Sequence, residues 1–398
     1  MRSGFGAAIL ALFGLGLAGC STRADVPTTG APSLAQPQGE SPPAAAKATQ
    51  YLYVYNEGSA GLYTGEYARY SLPDLSLLET TEADGVASPE AFGKDQLPYF
   101  IDEAAQGGFA VYLQPVKNKV VPAVEQFYGV PCQSTSLATG PTGDFYAVQY
   151  CSGNVLEYSP KKATNKAKKP IAQYTGGNLG LKSGTINPTY AAVDRKGDLY
   201  VGDNEGGVTY FAAGSTKGVI AFPTGNSGYV YQMIVDANGD VWSVHGPDPT
   251  QVYFRNKTSC VPDRSGTIER FEQAERFSKG RLVQHLYTAT SDSPVFAGDG
   301  LSIAIDSKGR IYIGNQDSSD DGVLLDYNPG ASCPTDGLSF VLPTRAFPQV
   351  AVDASGRYYI TDYNDNSISV YEGGSKKLLK KITQKKGIVA ITYATIGP

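Results

Sequence analysis

Between Ile186 and Thr383 one pattern of apolar and polar positions recurs. An apolar run ends in Asp, a short turn ends in Gly, and a second apolar run rich in Tyr follows. The turns are Asp194-Arg-Lys-Gly197, Asp236-Ala-Asn-Gly239, Asp306-Ser-Lys-Gly309 and Asp353-Ala-Ser-Gly356. Asp accepts hydrogen bonds from the turn backbone and Gly supplies a positive φ, so each is read as a hairpin. The runs that follow ("LYVG", "VWSV", "IYIG", "YYIT") alternate or are wholly apolar, as strands are. A third strand ("GVTYFAAG", "GVLLDYNPG", "SISVYEGG") and a fourth ("GVIAF", "SFVLP", "KLLKKIT") complete most copies. Four antiparallel strands at a period of about 40 residues or more predict an all-β chain of propeller blades. One blade cannot bury its apolar faces alone, so neighbours must stack.

Weaker copies extend the array towards the N-terminus. "SLATGPTGDFYAVQYCSGNVLEYSP" keeps the turn but lacks the Asp, and "YFIDEAAQGGFAVYLQP" keeps Ile101-Asp102 with one extra turn residue. The segment from Tyr51 offers second, third and fourth strands but no first, while "GIVAITYA" (Gly387 to Ala394) is a spare strand. Pairing it with Tyr51 to Asn56 would close a ring and remove its open sheet edges. The blades then number seven, one closing blade and those centred on Asp102, Gly140, Asp194, Asp236, Asp306 and Asp353. Six is the alternative if the irregular early copies merge. The stretch from Thr250 to Thr290 is read as an insertion in the fifth blade.

The strong copies resemble NHL-repeat and SMP-30/gluconolactonase-like propellers, whose blade reads "VAVD-x-x-G-x-LYV-x-D". That resemblance implies a propeller; it says little of function, because propellers host many activities. It also implies that second-strand ends open on one face around a channel. Those ends are polar here: Asn56-Glu57, Asp203-Asn204-Glu205, His245, Asn315-Gln316-Asp317 and Asp362-Tyr363-Asn364. Carboxylates and amides converging there suit a polar ligand or a hard cation such as calcium, with Asp203, Asp317 and Asp362 as candidate metal ligands. The alternative is that they cap turns and meet water.

Two segments approach the calcium-loop pattern without completing it. The loop from Asp317 has Asn328, not Glu, at its twelfth position, and the loop from Asp362 lacks the central Gly. Of the two histidines, His245 is the candidate base, with Asp248 placed to orient it, and a solvated loop histidine is the alternative. His285 falls in an outer strand and reads as structural. Streptogramin-lyase-like propellers use histidine, and gluconolactonase-like enzymes hold a metal with Glu, Asn and Asp. In the corresponding "GDGLSIAID" this chain has Asp299 where that family has Asn. Gly-x-Ser-x-Gly, His-Glu-x-x-His and phosphate-loop motifs are missing from the sequence.

The first residues change the setting. Met1-Arg2-Ser3 is basic, Gly4 to Leu17 is apolar, and the run ends in Leu17-Ala18-Gly19-Cys20, which resembles a bacterial lipobox. The resemblance implies cleavage before Cys20, acylation of that residue, palmitate included, and anchoring in the envelope by more than one chain. Ser21 after the cysteine implies the outer membrane, where one exists. The Gly14-x-Gly16-x-x-Gly19 spacing inside this run lacks the strand and helix of a dinucleotide site. From Cys20 to about residue 50, Pro, Ala, Thr, Ser, Gly and Gln dominate, which predicts a disordered tether of roughly 30 residues reaching about 30 Å. The propeller is expected over 51–398.

Net charge is −5 and no basic stripe dominates, which argues against a nucleic-acid partner. The partners that fit are the membrane through the anchor and an envelope protein, glycan or small molecule. Lysines in "SPKKATNKAKKP" and "SKKLLKKITQKK" suit either anionic headgroups or protection of outer strand edges. Cys132, Cys151, Cys260 and Cys333 permit two disulfides in an exported chain. A hairpin at Gly140–Gly143 places residues summing to 283 opposite each other, hence Cys132 with Cys151. Cys260 and Cys333 follow by elimination. The function expected is binding, with a metal-assisted lactonase or lyase as the alternative.

Overall fold

A computed structural model describes residues 50–56, 65–83, 87–92, 98–102, 109–116, 119–126, 134–150, 152–159, 170–175, 187–223, 229–245, 270–289, 300–316, 322–331, 340–341, 348–362, 366–383 and 391–397. All the regular structure among them is β. Strands β1 (Tyr51–Asn56), β2 (Gly65–Ser71) and β3 (Leu77–Ala83) open the first sheet. The second holds β4 (Ala87–Phe92), β5 (Pro98–Asp102), β6 (Phe109–Val116) and β7 (Lys119–Gln126). The third holds β8 (Ser134–Thr139), β9 (Phe145–Gln149), β10 (Asn154–Tyr158) and β11 (Ala172–Thr175). The fourth holds β12 (Pro188–Val193), β13 (Leu199–Asp203), β14 (Val208–Phe211) and β15 (Val219–Phe222).

The fifth sheet is β16 (Val230–Val235), β17 (Val241–His245), β18 (Arg270–Ser278) and β19 (Arg281–Ala289). The sixth is β20 (Gly300–Ile305), β21 (Ile311–Gln316), β22 (Gly322–Tyr327) and β23 (Phe340–Val341). The seventh is β24 (Val350–Val352), β25 (Tyr358–Asp362), β26 (Ser367–Tyr371) and β27 (Leu378–Thr383). The last strand, β28 (Ile391–Gly397), joins the first sheet in the order β28-β1-β2-β3. It pairs antiparallel with β1 from Tyr51↔Gly397 to Asn56↔Ile391. Of the spare strand read at Gly387 to Ala394, residues 391–394 lie in β28, which runs on to Gly397, and 387–390 lie outside the described residues. Inner strands of successive sheets touch in the order β4, β8, β12, β16, β20, β24, β28, and β28 also touches β4.

The repeated Asp forms the turn as its chemistry dictates. Oδ1 of Asp194 accepts from the amides of Lys196 and Asp198 at 2.8 and 2.9 Å. Asp236, Asp306 and Asp353 do the same for residues two and four positions on. Gly197, Gly239, Gly309 and Gly356 sit at φ between 80° and 88°, where a side chain would be strained. These are three-residue loops, one residue longer than the tightest hairpins. The same geometry corrects the register at Gly140–Gly143. Thr139 faces Phe145, a sum of 284, and a bulge then restores 283 at Ser134↔Gln149. Cys132 and Cys151 lie outside the described residues, as do Cys20, Cys260 and Cys333.

Two further expectations are corrected. Asp102 ends β5, the second strand of its sheet, not the first, because "ASPEAF" supplies the inner strand with little apolar signal. Much of Thr250 to Thr290 is not an insertion: its latter half is the β18–β19 hairpin, third and fourth strands of the fifth sheet.

The Tyr-rich second strands now make physical sense. Tyr200 and Tyr312 are fully buried, and their hydroxyls accept from the amides of Gly280 (3.0 Å) and Gly374 (3.1 Å), each in the outer turn of the next sheet. The apolar ring fills the seam and the hydroxyl reaches a turn that would otherwise lose water unrewarded. Inner strands are stitched similarly. Ser136 Oγ accepts from Ala191 N, Thr189 Oγ1 donates to Val230 O, Gln232 Oε1 accepts from Ile303 N, and Ser302 Oγ donates to Pro348 O.

Candidate functional site

Second strands of the third to seventh sheets carry Gln149, Asp203, His245, Asn315 and Asp362 at or next to their ends; Asn315 is followed by Gln316, the last residue of β21. The sequence reading opened these ends to a channel. Their side chains are instead buried, between 0% and 7% exposed. Position was legible; solvation was not, because it depends on the sheet packed alongside.

Asp203 shows what burial does. Its Oδ1 accepts from the amides of Glu205 and Gly207, both at 2.8 Å, and Gly206 donates to its carbonyl at φ 78°. This is the repeat's own Asp turn moved to the opposite end of the hairpin. That carboxylate oxygen is committed to backbone donors, which makes it a poor cation ligand. Glu205 is half-buried in the turn, and Asn204 Oδ1 accepts from Asn187 N at 2.7 Å. Asn56 ends β1 opposite Glu66 and Ile391. Asp248, Asp317, Asn364 and Asp299 lie outside the described residues.

His245 departs furthest from its expected setting. It is neither an exposed base nor a solvated loop residue: its side chain is fully buried and its Nε2 hydrogen-bonds Glu275 Oε1. The other carboxylate oxygen of Glu275 accepts from Ser243 Oγ at 2.9 Å. Ser243 and Glu275 are direct cross-strand partners, and His245 lies two residues along on the same face. Val241 and Phe277 continue that face and pack with Tyr200, Val208 and Val230, so the trio sits in the seam between the fourth and fifth sheets. A buried carboxyl group in such a place is tolerated because both of its oxygens are engaged. Glu275 is the residue that sequence reasoning missed. Its signal was a charge in phase with Phe271 and Phe277 in "RFEQAERFS".

His285 lies in the outer strand β19, its ring 6.3 Å from that of Phe222. Among the described residues no group of three or more His, Cys, Asp or Glu stands in metal-holding geometry. No helix among them is long and apolar enough to cross a membrane.

No protein-family model matches the chain, and no curated protein matches it in sequence. Solved structures do match. A streptogramin B lyase is 12% identical over 78% of this chain and 87% of its own, with a TM-score of 0.51. A protein from Lactobacillus plantarum is 12% identical over 88% and 99%, with a TM-score of 0.55. Apo AztD from Citrobacter koseri is 11% identical over 88% and 99%, with a TM-score of 0.53. These are β-propellers, and at such identities the likeness shows the fold alone: this chain has the β-propeller architecture.

Proposed function

We propose that the chain is a lipid-anchored propeller of the bacterial cell envelope that works as a binding module. Its seven sheets form a closed ring, the C-terminal strand completing the N-terminal blade. The contact of β28 with both β1 and β4 supports closure. The basic-apolar leader ending at Cys20, and the tether behind it, support the anchor.

The observation that carries binding over catalysis is the commitment of the polar strand ends to the fold. Asp203 caps its own turn and His245 is locked to Glu275 inside a seam. Side chains spent in this way hold loops in place, and recognition then falls to the loops they hold. The alternative, a metal-assisted lactonase or lyase, draws on one feature: a carboxylate orienting a histidine, as a general base requires. A thermal melt with calcium decides the metal-dependent form. Binding without catalysis gives an unchanged Tm at millimolar calcium; a rise of several degrees would favour the metal site instead. The anchor is tested by metabolic labelling with a palmitate analogue, which should tag the parent and fail to tag Cys20→Ala.

A further inference from the structure

We propose that the outer strand β27 and the turn before it form a second, reversible contact with an anionic lipid surface, beside the covalent anchor. The proposal rests on the anchor reading for its biological setting and on the geometry of this strand for its substance.

Leu378 and Leu379 are consecutive and 50% and 44% exposed, and Lys376, Lys377, Lys380 and Lys381 bracket them. Within 372–383 four lysines face one acid, Glu372, in a chain whose overall charge is negative. Lys377 reaches Glu372 at 3.3 Å, and with both side chains more than half exposed that pair exchanges readily for headgroups. Lys380 Nζ donates to Asp74 O at 2.7 Å. Asp74 lies in the turn before β3, whose Leu77 and Leu78 are 53% and 43% exposed. Two outer strands thus bring four leucines to one rim, with ammonium groups between them. Apolar side chains flanked by Lys are what an interfacial surface presents: leucines enter the acyl boundary while the lysines stay among the headgroups.

The tether's point of arrival favours lipid as the occupant. Gln50 Oε1 accepts from Ala354 N at 2.9 Å, in the β24–β25 turn. That turn packs against the one before β27, where a side chain at Gly373 would collide with Gly356 O. The described residues therefore begin at the same end of the seventh sheet as the lysines. A tether of roughly 30 residues imposes little restraint on laying that rim against the membrane. Val219 and Ile220 on β15 are as exposed, at 58% and 56%, yet lie in the fourth sheet, three sheets from β27, and serve as the internal control.

The test is co-sedimentation of the unacylated chain from Ser21 onward, which holds every described residue, with phosphatidylglycerol-containing vesicles. Binding is expected, weakening as salt rises, with none to pure phosphatidylcholine. Replacing the four lysines by Gln, or Leu378 and Leu379 by Ser, should each reduce binding at least tenfold, since one surface lysine is worth about fivefold. Val219→Ser with Ile220→Ser should leave it unchanged. Circular dichroism melts confirm that each variant is folded. Equal binding by parent and β27 variants, an equal loss in the β15 control, or no vesicle binding would each overturn the proposal. So would a parent dimer that the leucine variant dissociates without changing vesicle binding. Palmitate labelling at Cys20 is read separately, so failure of the anchor and failure of this surface are told apart.

Discussion

Glu275→Ala is the most informative single change in the seam. The carboxylate is fully buried and serves two buried groups, His245 and Ser243. Removing one partner of such a pair strands the other in a dry site, at a cost of about 3–5 kcal/mol. Ser243→Ala, which strands one oxygen only, should cost about 1–3 kcal/mol. At about 2 °C per kcal/mol, Glu275→Ala should melt roughly 6–10 °C below the parent. The second half of the experiment separates a hydrogen-bonded polar pair from mere volume. Glu275→Leu combined with His245→Leu removes the buried pair and strands only Ser243 Oγ, so the double variant should melt above either single one, because apolar replacement of a whole buried pair is often neutral or stabilising. Differential scanning calorimetry reads all the variants. A Glu275→Ala melt within about 1 °C of the parent, or a double variant at the sum of the singles, would refute the seam's dependence on that pair.

Three other expectations follow from the geometry. Gly314→Ala should cost about 1–3 kcal/mol or more in a denaturant titration, because its Cβ would meet the Pro348 carbonyl and Ser302 Oγ, and a backbone wall cannot yield. Burial pushes Asp326 up to about 6 although Arg310 grips both its oxygens at 3.0–3.1 Å. The native state then keeps a proton that the unfolded chain releases near pH 4, so this group's contribution falls as pH rises from about 4 to 6. Asp326→Asn should flatten that part of the stability profile, and an unchanged slope would count against it. Burial likewise pushes Tyr158 and Tyr312 up to about 12, and Tyr200, Tyr358 and Tyr359 higher still. Unfolded tyrosines ionise near pH 10, so stability falls above that pH. Absorbance at 295 nm should rise in one steep step coincident with loss of circular dichroism, not as a gradual titration.

What the sequence disclosed is local. The turns at Asp194, Asp236, Asp306 and Asp353 involve residues two and four positions away, so type and spacing suffice to read them. Asp102 misled because an Asp can end either an inner strand or a second strand, and only the pairing with β4 decides. His245 and Glu275 are 30 residues apart and meet through strand register. Their burial depends further on a neighbouring sheet. The polar second-strand ends were thus found by position and misjudged in exposure, since the apolar wall covering them is built by other repeats.

Native-state hydrogen exchange on β1 and β28 tests the closed ring most directly. If β28 seals the ring, its amides and those of β1 exchange only with global unfolding, as slowly as those of β12 and β13. A β28 that exchanges orders of magnitude faster, leaving β1 to behave as an open edge, would contradict the ring and the proposal built on it.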